Sequence, residues 1–250
     1  TIKTKGFMVF WVIAIMAVPG TWFGIPILYR RWASRDLQRR IRERRAIVLT
    51  YDDGPGDVVT SPLAELLGRR HARATFFLIG RNAAQRPEIV QRLHDGGHEI
   101  ANHSFHHLNA WKTWPLRAVQ DIRKGRETLE RLIPGSMVFR PPFGKATLAT
   151  LLYTKGNGTR LAFWTHDSRD SWNRLPPEQI LEQLRASSGG VVLMHDFDAP
   201  RRGPSPEKHP DYVLTLTETI IDFAEANGFE LLTFSELFED PGRPESWKSA

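Results

Sequence analysis

Five short polar stretches hold most of the residues able to do chemistry. Asp52-Asp53 places two carboxylates side by side before Gly54-Pro55. His103 and His107 stand four apart. Arg140 opens Arg140-Pro141-Pro142-Phe143-Gly144, and Asp170 closes Asp167-Ser168-Arg169-Asp170. His195 follows the apolar run Val191-Val192-Leu193-Met194. Two carboxylates, a spaced imidazole pair, a permanent cation, a further acid and a lone histidine suit a metal-assisted hydrolase with a separate base and acid.

Each stretch also has a plainer use. A paired Asp before Gly-Pro is often a turn or a helix cap. Neighbouring residues at a strand end can also diverge, leaving one carboxylate for metal and one as a base. A spacing of four puts two imidazoles on one side of a helical turn, able to converge on one cation. His106 should then point elsewhere, and His71, His94 and His209 read as surface residues. Arg140 cannot lose its proton and can hold a carboxylate. The Pro-Pro-Phe-Gly after it can be a simple tight turn or present a backbone N–H to an oxyanion. An acid bonded to one nitrogen of His195 would keep that ring protonated. Taken alone, His195 also reads as structural.

The elements that must position these groups are legible from Ala46 onward. Strand-length apolar runs lie at 46–51, 74–79, 98–101, 137–139, 161–165, 190–194 and 229–234. Helical periodicity fills the gaps, as in Leu63/Leu66/Leu67 and Val119/Ile122/Leu129/Leu132. Strands alternating with helices argue for an α/β fold with a parallel sheet closed or nearly closed into a barrel. Sites in such folds sit at the carboxyl ends of strands. All five polar stretches end or closely follow a strand. The stretch 198–210 reads as a surface loop near the site.

Residues 7–28 carry no charge and are long enough for a membrane-spanning helix. The expected organisation is a membrane anchor at 1–29, a basic segment at 30–45 and a catalytic domain at 46–250. The basic segment holds eight arginines against Asp36 and Glu43, which accounts for the whole formal charge of +6. The remainder is near neutral, so nucleic acid is not an expected partner. Trp32, Leu37 and Ile41 could form a stripe on a helix lying on an anionic membrane, or the segment is a solvated linker. Only Lys3 and Lys5 precede the span. The arginines after it favour a cytoplasmic catalytic domain. Cysteine is absent, which rules out disulfides and thiolate ligands.

The five stretches, in this order, resemble the motifs of the polysaccharide deacetylase family, the carbohydrate esterases that share the NodB homology domain. The resemblance covers roughly residues 46–238. It implies a distorted (β/α)7 barrel and one divalent metal ion, usually zinc with cobalt or nickel as alternatives, held by Asp53, His103 and His107. It implies Asp52 as general base, Arg140 as its tether, His195 as general acid and Asp170 as that acid's partner. Phe143 would help hold the oxyanion through its backbone, Leu193 would line the acetyl pocket and Trp172 would wall the groove. Tyr51 stands where the family commonly has Phe, Phe143 where it has Tyr, and Ser171 intervenes before Trp172. The implied reaction removes N-acetyl groups from an N-acetylated glycan or lipid-linked saccharide at a membrane. The alternatives are an O-acetyl carbohydrate esterase and an idle carbohydrate-binding membrane module.

Overall fold

A computed structural model describes residues 2–135, 137–198 and 209–239, with side chains from residue 20 onward. The protein is α/β. Its order is α1 (Ile2–Arg44), β1 (Ala46–Asp52), α2 (Thr60–Arg69), β2 (Thr75–Leu78), α3 (Gly80–Gln85), α4 (Pro87–Asp95), β3 (Glu99–Asn102) and α5 (Pro115–Leu132). Then follow β4 (Val138–Phe139), α6 (Leu148–Gly156), β5 (Arg160–Leu161), β6 (His166–Asp167), α7 (Pro177–Ser187), β7 (Gly190–His195), α8 (His209–Asn227) and β8 (Glu230–Leu231).

The strands form one parallel sheet in the order β5-β4-β3-β2-β1-β7-β6, with β8 also on β1. β1 is buried along its whole length, as a strand covered on both faces must be. Its side chains divide by the period of two. Ile47, Leu49 and Tyr51 pack under the outer helices with Leu63, Leu67, Val213 and Ile220. Ala46 and Val48 face inward with Phe77, Ala101 and Val191. Thr50 and Asp52 continue that inward face.

Of the two expectations, a closed or a nearly closed barrel, the chain takes the second, and the sheet is interrupted at one place. Of the run 161–165 only Leu161 belongs to a strand, the end of β5, and 162–165 cross between the two sheet edges. Ala162 N–H donates to Phe139 O at 2.9 Å on one edge, and Thr165 N–H to Val191 O at 3.0 Å on the other. The pairing resumes on each side as β5 and β6. The sheet is therefore curled and spanned by this connection rather than laddered all the way round.

The boundary expected between anchor and basic segment is not a structural one, because α1 is continuous through both. Leu37 and Ile41 are buried against Ala46, Val48 and Val191 in the barrel interior, while Trp32 is exposed. Burying two such side chains is worth about 1.5–3 kcal/mol each. The end of α1 is thus a plug of the barrel, not a stripe available to a membrane. Among the described residues, no helix is long and apolar enough to cross a membrane. Most of the expected span, residues 7–19, lies outside the described side chains. Most of the expected loop 198–210 likewise falls outside the described residues.

Candidate active site

β1 delivers both aspartates, and the backbone turns them apart. Asp52 closes the strand on its inward face. Asp53 has a positive φ of 77°. Only a few non-glycine residues adopt that region, and they concentrate at functional sites. Ser104, His107, Phe143 and Arg169, all in the polar stretches, share it. The next residue is glycine, where a Cβ would run into the buried carboxyl of Asp196 unless that side chain moved.

Asp53 Oδ1 lies 3.1 Å from His107 Nε2 and 3.6 Å from His103 Nε2. The three ligand atoms fall within 4.8 Å of one another. The histidines do not share a helical turn, as their spacing had suggested. They follow β3 on a loop in which Ser104 and His107 are left-handed. Asn102 Oδ1 accepts from Ser104 N–H at 2.9 Å, and Ser104 Oγ accepts from His107 N–H at 3.0 Å. Those two bonds bring the ring centroids to 5.0 Å. His106 does point away, to Asp121 at 2.6 Å.

This set fits a divalent cation on its own chemistry. His103 Nδ1 lies 2.7 Å from the carbonyl oxygen of Arg140. A carbonyl can only accept, so Nδ1 carries the proton and Nε2 keeps its lone pair toward Asp53. Burial, partly offset by Asp53, holds His103 down at about 4, so the ring is neutral as a ligand must be. Carboxylate plus two imidazoles is a recurrent catalytic donor set.

Asp52 takes a different partner. Arg140, fully buried, donates Nη1 to Asp52 Oδ1 at 2.7 Å and to Thr50 Oγ1 at 2.9 Å. Its guanidinium lies over the Phe77 ring at 3.9 Å. Burial pushes Asp52 above the ordinary carboxylate value, against the pull of Arg140.

His195 ends β7 directly beside Asp52, the two being register partners. Asp170, from the turn after β6, accepts from His195 Nδ1 at 2.8 Å and from the His195 backbone N–H at 2.8 Å. Burial would lower His195, but Asp170 outweighs it and pushes the ring up to about 10. Burial would raise Asp170, and His195 outweighs it in turn, holding the carboxyl below its usual range.

The remaining expected residues are placed as follows. Phe143 packs its half-exposed ring on His107 at 4.6 Å. Leu193 is buried on the same face of β7 as His195, two residues earlier. Trp172 is exposed on the turn after Asp170, under the Arg169 guanidinium at 5.2 Å.

Two site residues escaped the sequence reading. His209, taken for a surface residue, is buried at the start of α8 with Nε2 3.2 Å from Asp170 Oδ2. Its ring stacks on Phe197 at 4.7 Å. Asp196, fully buried, donates its N–H to Asp52 O at 3.1 Å and accepts from Thr60 Oγ1 at 2.7 Å. Burial pushes its carboxyl up to about 7. Its place directly after His195 was the available signal; His209 had none.

Comparison with known proteins converges on one family. The polysaccharide deacetylase family model matches residues 39–162. A peptidoglycan-N-acetylglucosamine deacetylase of Bacillus cereus is 30% identical over 196 residues, covering 77% of this chain and 88% of that protein. A chitooligosaccharide deacetylase of Bradyrhizobium sp. is 28% identical over 199 residues, covering 77% and 90%. The crystal structure of the Bc1960 peptidoglycan N-acetylglucosamine deacetylase superposes with a TM-score of 0.67 at 26% identity, over 78% of this chain and 89% of that one. The curled parallel sheet and this level of identity over most of both chains agree: the chain belongs to the polysaccharide deacetylase family.

Proposed function

We propose that the protein is a metal-dependent deacetylase that hydrolyses N-acetyl groups of an amino-sugar glycan or lipid-linked saccharide to acetate and free amine. The observation that supports this most is the division of labour between adjacent carboxylates. Asp53 turns to two imidazoles, while Asp52 is held by Arg140 beside a protonated His195.

Asp53, His103 and His107 would hold one divalent cation, zinc in the first instance, with cobalt or nickel as alternatives. Such a cation supplies Lewis-acid polarisation of a carbonyl and a more acidic water. Asp52 then takes the proton of the attacking water, and Arg140 keeps its carboxylate aimed without competing for that proton. As the C–N bond breaks, His195 delivers its proton to the leaving nitrogen. Water has then given its hydroxyl to the acetyl carbon. The proton on Asp52 and the one missing from His195 restore each other through solvent. The left-handed Phe143 offers its backbone N–H to the oxyanion, Leu193 walls the acetyl methyl and Trp172 walls the groove.

Acetate release from a panel of chitin oligomers, peptidoglycan fragments, N-acetylglucosaminyl-diphosphoryl polyprenol and O-acetylated xylan tests this. Release from the N-acetylated members is expected. Release from xylan alone makes the protein an O-acetyl esterase. No release by metal-loaded protein from any member makes it an idle binding module.

The apolar run at 7–28 is proposed as a single-pass anchor, with the catalytic domain on the cytoplasmic face because the arginines follow the span. A reporter that fluoresces only in the cytoplasm, fused after Ala250, is expected to be bright. A dark fusion with protease access from outside reverses the topology.

A further inference from the structure

Beside the site, α1 and the turn Pro142–Gly144 enclose a groove of about 480 Å³. Its lining includes Arg30, Arg31, Arg35, Lys145, Trp111 and Phe163, with no carboxylate among the described residues. It adjoins the reaction centre, since Gly144 follows Phe143, whose ring rests on His107. Arg30 is the groove's structural cation. It donates to Gly144 O at 3.2 Å and lies over Phe163 and Trp164, each at 5.3 Å.

The other cations are not explained by the fold. Lower on α1, three of the four arginines are paired, Arg39 with Asp36 at 2.6 Å, Arg40 with Asp36 at 3.0 Å and Arg44 with Glu230 at 2.9 Å, while Arg42 has no carboxylate partner among the described residues. Arg31 and Arg35, one turn apart on the groove face, have no carboxylate partner among the described residues. Placed at i,i+4 they repel each other. Lys145 lies over the Trp111 ring at 4.2 Å. The same groove is also apolar. Ile27 on α1 and Trp111 opposite line it and are exposed, and Leu28 beside Ile27 is exposed too. An exposed apolar rim marks a contact with something other than water. A cationic floor inside an apolar rim is complementary to the head of an anionic amphiphile.

We infer that this groove binds the diphosphate of a lipid-linked sugar, with Arg31, Arg35 and Lys145 on the phosphates and the lipid chain leaving over the apolar rim of α1. This rests on the deacetylase and anchor readings above, and it names the substrate they leave open. The helix rise of 1.5 Å per residue puts Arg31 and Arg35 within about 12 Å of Leu28, at headgroup depth if the apolar run is the anchor.

The test uses the full chain in detergent micelles, loaded with zinc. One arm compares kcat/KM on N-acetylglucosaminyl-diphosphoryl polyprenol, on an uncharged alkyl N-acetylglucosaminide and on the same sugar carried by a nucleoside diphosphate. The other titrates farnesyl diphosphate by calorimetry. The diphosphate lipid is expected to be preferred over the alkyl glycoside by at least about tenfold, the loss typical of one charge-assisted contact. Arg31→Gln with Arg35→Gln is expected to reduce that ratio, and farnesyl diphosphate affinity, by about tenfold or more. Arg42→Gln, a single charge lost off the groove, should leave both unchanged. A ratio near one, indifference to the double variant or an equal fall with Arg42→Gln overturns the inference. Equal turnover of the nucleoside diphosphate sugar overturns the lipid source. Arginine-dependent farnesyl diphosphate binding without any acetate release upholds the groove and sinks the deacetylase reading. Acetate release from neutral glycans without such binding does the reverse.

Discussion

The pair Asp52–Arg140 and the pair Asp170–His195 are built alike and, in the proposed reaction, used in opposite senses. Each joins a carboxylate to a cation by one short bond, at 2.7 Å and 2.8 Å. In the first the cation is the hidden member: the Arg140 side chain is 0% exposed. In the second the carboxylate is hidden, and the His195 ring is 14% exposed. The member that reaches the site decides what the pair offers, a proton acceptor in one case and a donor in the other. The hidden member decides how firmly. Arginine keeps its charge at any working pH, so it holds Asp52 in place without sharing its proton. Asp170 keeps its charge because His195 is beside it, so those two stand or fall together.

The largest effect should come from outside both pairs. His103→Ala removes a ligand, and both metal content and turnover should be lost; full activity in a metal-free preparation overturns the metal assignment. Asp52→Asn and His195→Gln should retain metal, measured by elemental analysis, while kcat falls by about 10²–10⁴, the usual contribution of a general acid or base. A rate within about threefold of wild type for either would end its role.

The pairs then separate on stability. Arg140→Met leaves Asp52 buried without its cation, a change worth about 3–5 kcal/mol in comparable pairs. Chemical denaturation measures it. Adding Asp52→Asn should recover part of the loss, because the uncompensated carboxylate is then gone. If the double variant is no more stable than Arg140→Met, Arg140 is holding the barrel through Phe77 and Thr50 rather than through charge.

What the sequence made legible follows the same division. Asp52, His103, Arg140, Asp170 and His195 stand at or just after strand ends, and in a parallel α/β fold that position alone marks a candidate. The loop shape of His103–His107 was not legible, because a spacing of four looks helical and the positive φ of Ser104 and His107 leaves no mark in residue type. His209 comes from the first turn of a helix rather than a strand end, so nothing in its neighbours distinguishes it from a surface residue. The crossing at 162–165 has strand composition, and only the pairing of its two ends with different edges shows that it is not one. The same holds for Leu37 and Ile41. Their spacing fits a helix against any apolar surface, and only the fold reveals that the surface is the barrel's own interior.

Asp170→Asn sharpens the comparison through pH. His195 stands at about 10 against an ordinary 6.5, raised by Asp170 against burial. A raised native value stabilises the fold below the ordinary value, and that contribution is lost as pH climbs through about 10. The basic limb of the rate profile should therefore lie high in the wild type. Without Asp170, burial is opposed only by the nearby Asp53 and Asp52, and the limb should move down. The fall in melting temperature between pH 6.5 and 10 should flatten with it. A limb that stays in place would mean Asp170 does not set the charge of His195.

The smallest expected effect belongs to His209, and it carries a sign that a merely structural residue would not. Its Nε2 lies 3.2 Å from Asp170 Oδ2, the oxygen that also accepts from the His195 backbone N–H at 2.8 Å. His209→Ala takes one donor from Asp170 and leaves its charge less satisfied, so Asp170 should hold the His195 proton more tightly. The basic limb should then move up, opposite to Asp170→Asn, by less than about one unit, since one hydrogen bond is worth about 0.5–1.5 kcal/mol and a unit is 1.36. The rate at neutral pH should fall by less than about tenfold. His209→Gln, which returns an N–H donor, should bring the limb back. A downward shift, or no rescue by Gln while the stacking partner Phe197 stays ordered, would place His209 in packing alone and leave Asp170 answering only to His195.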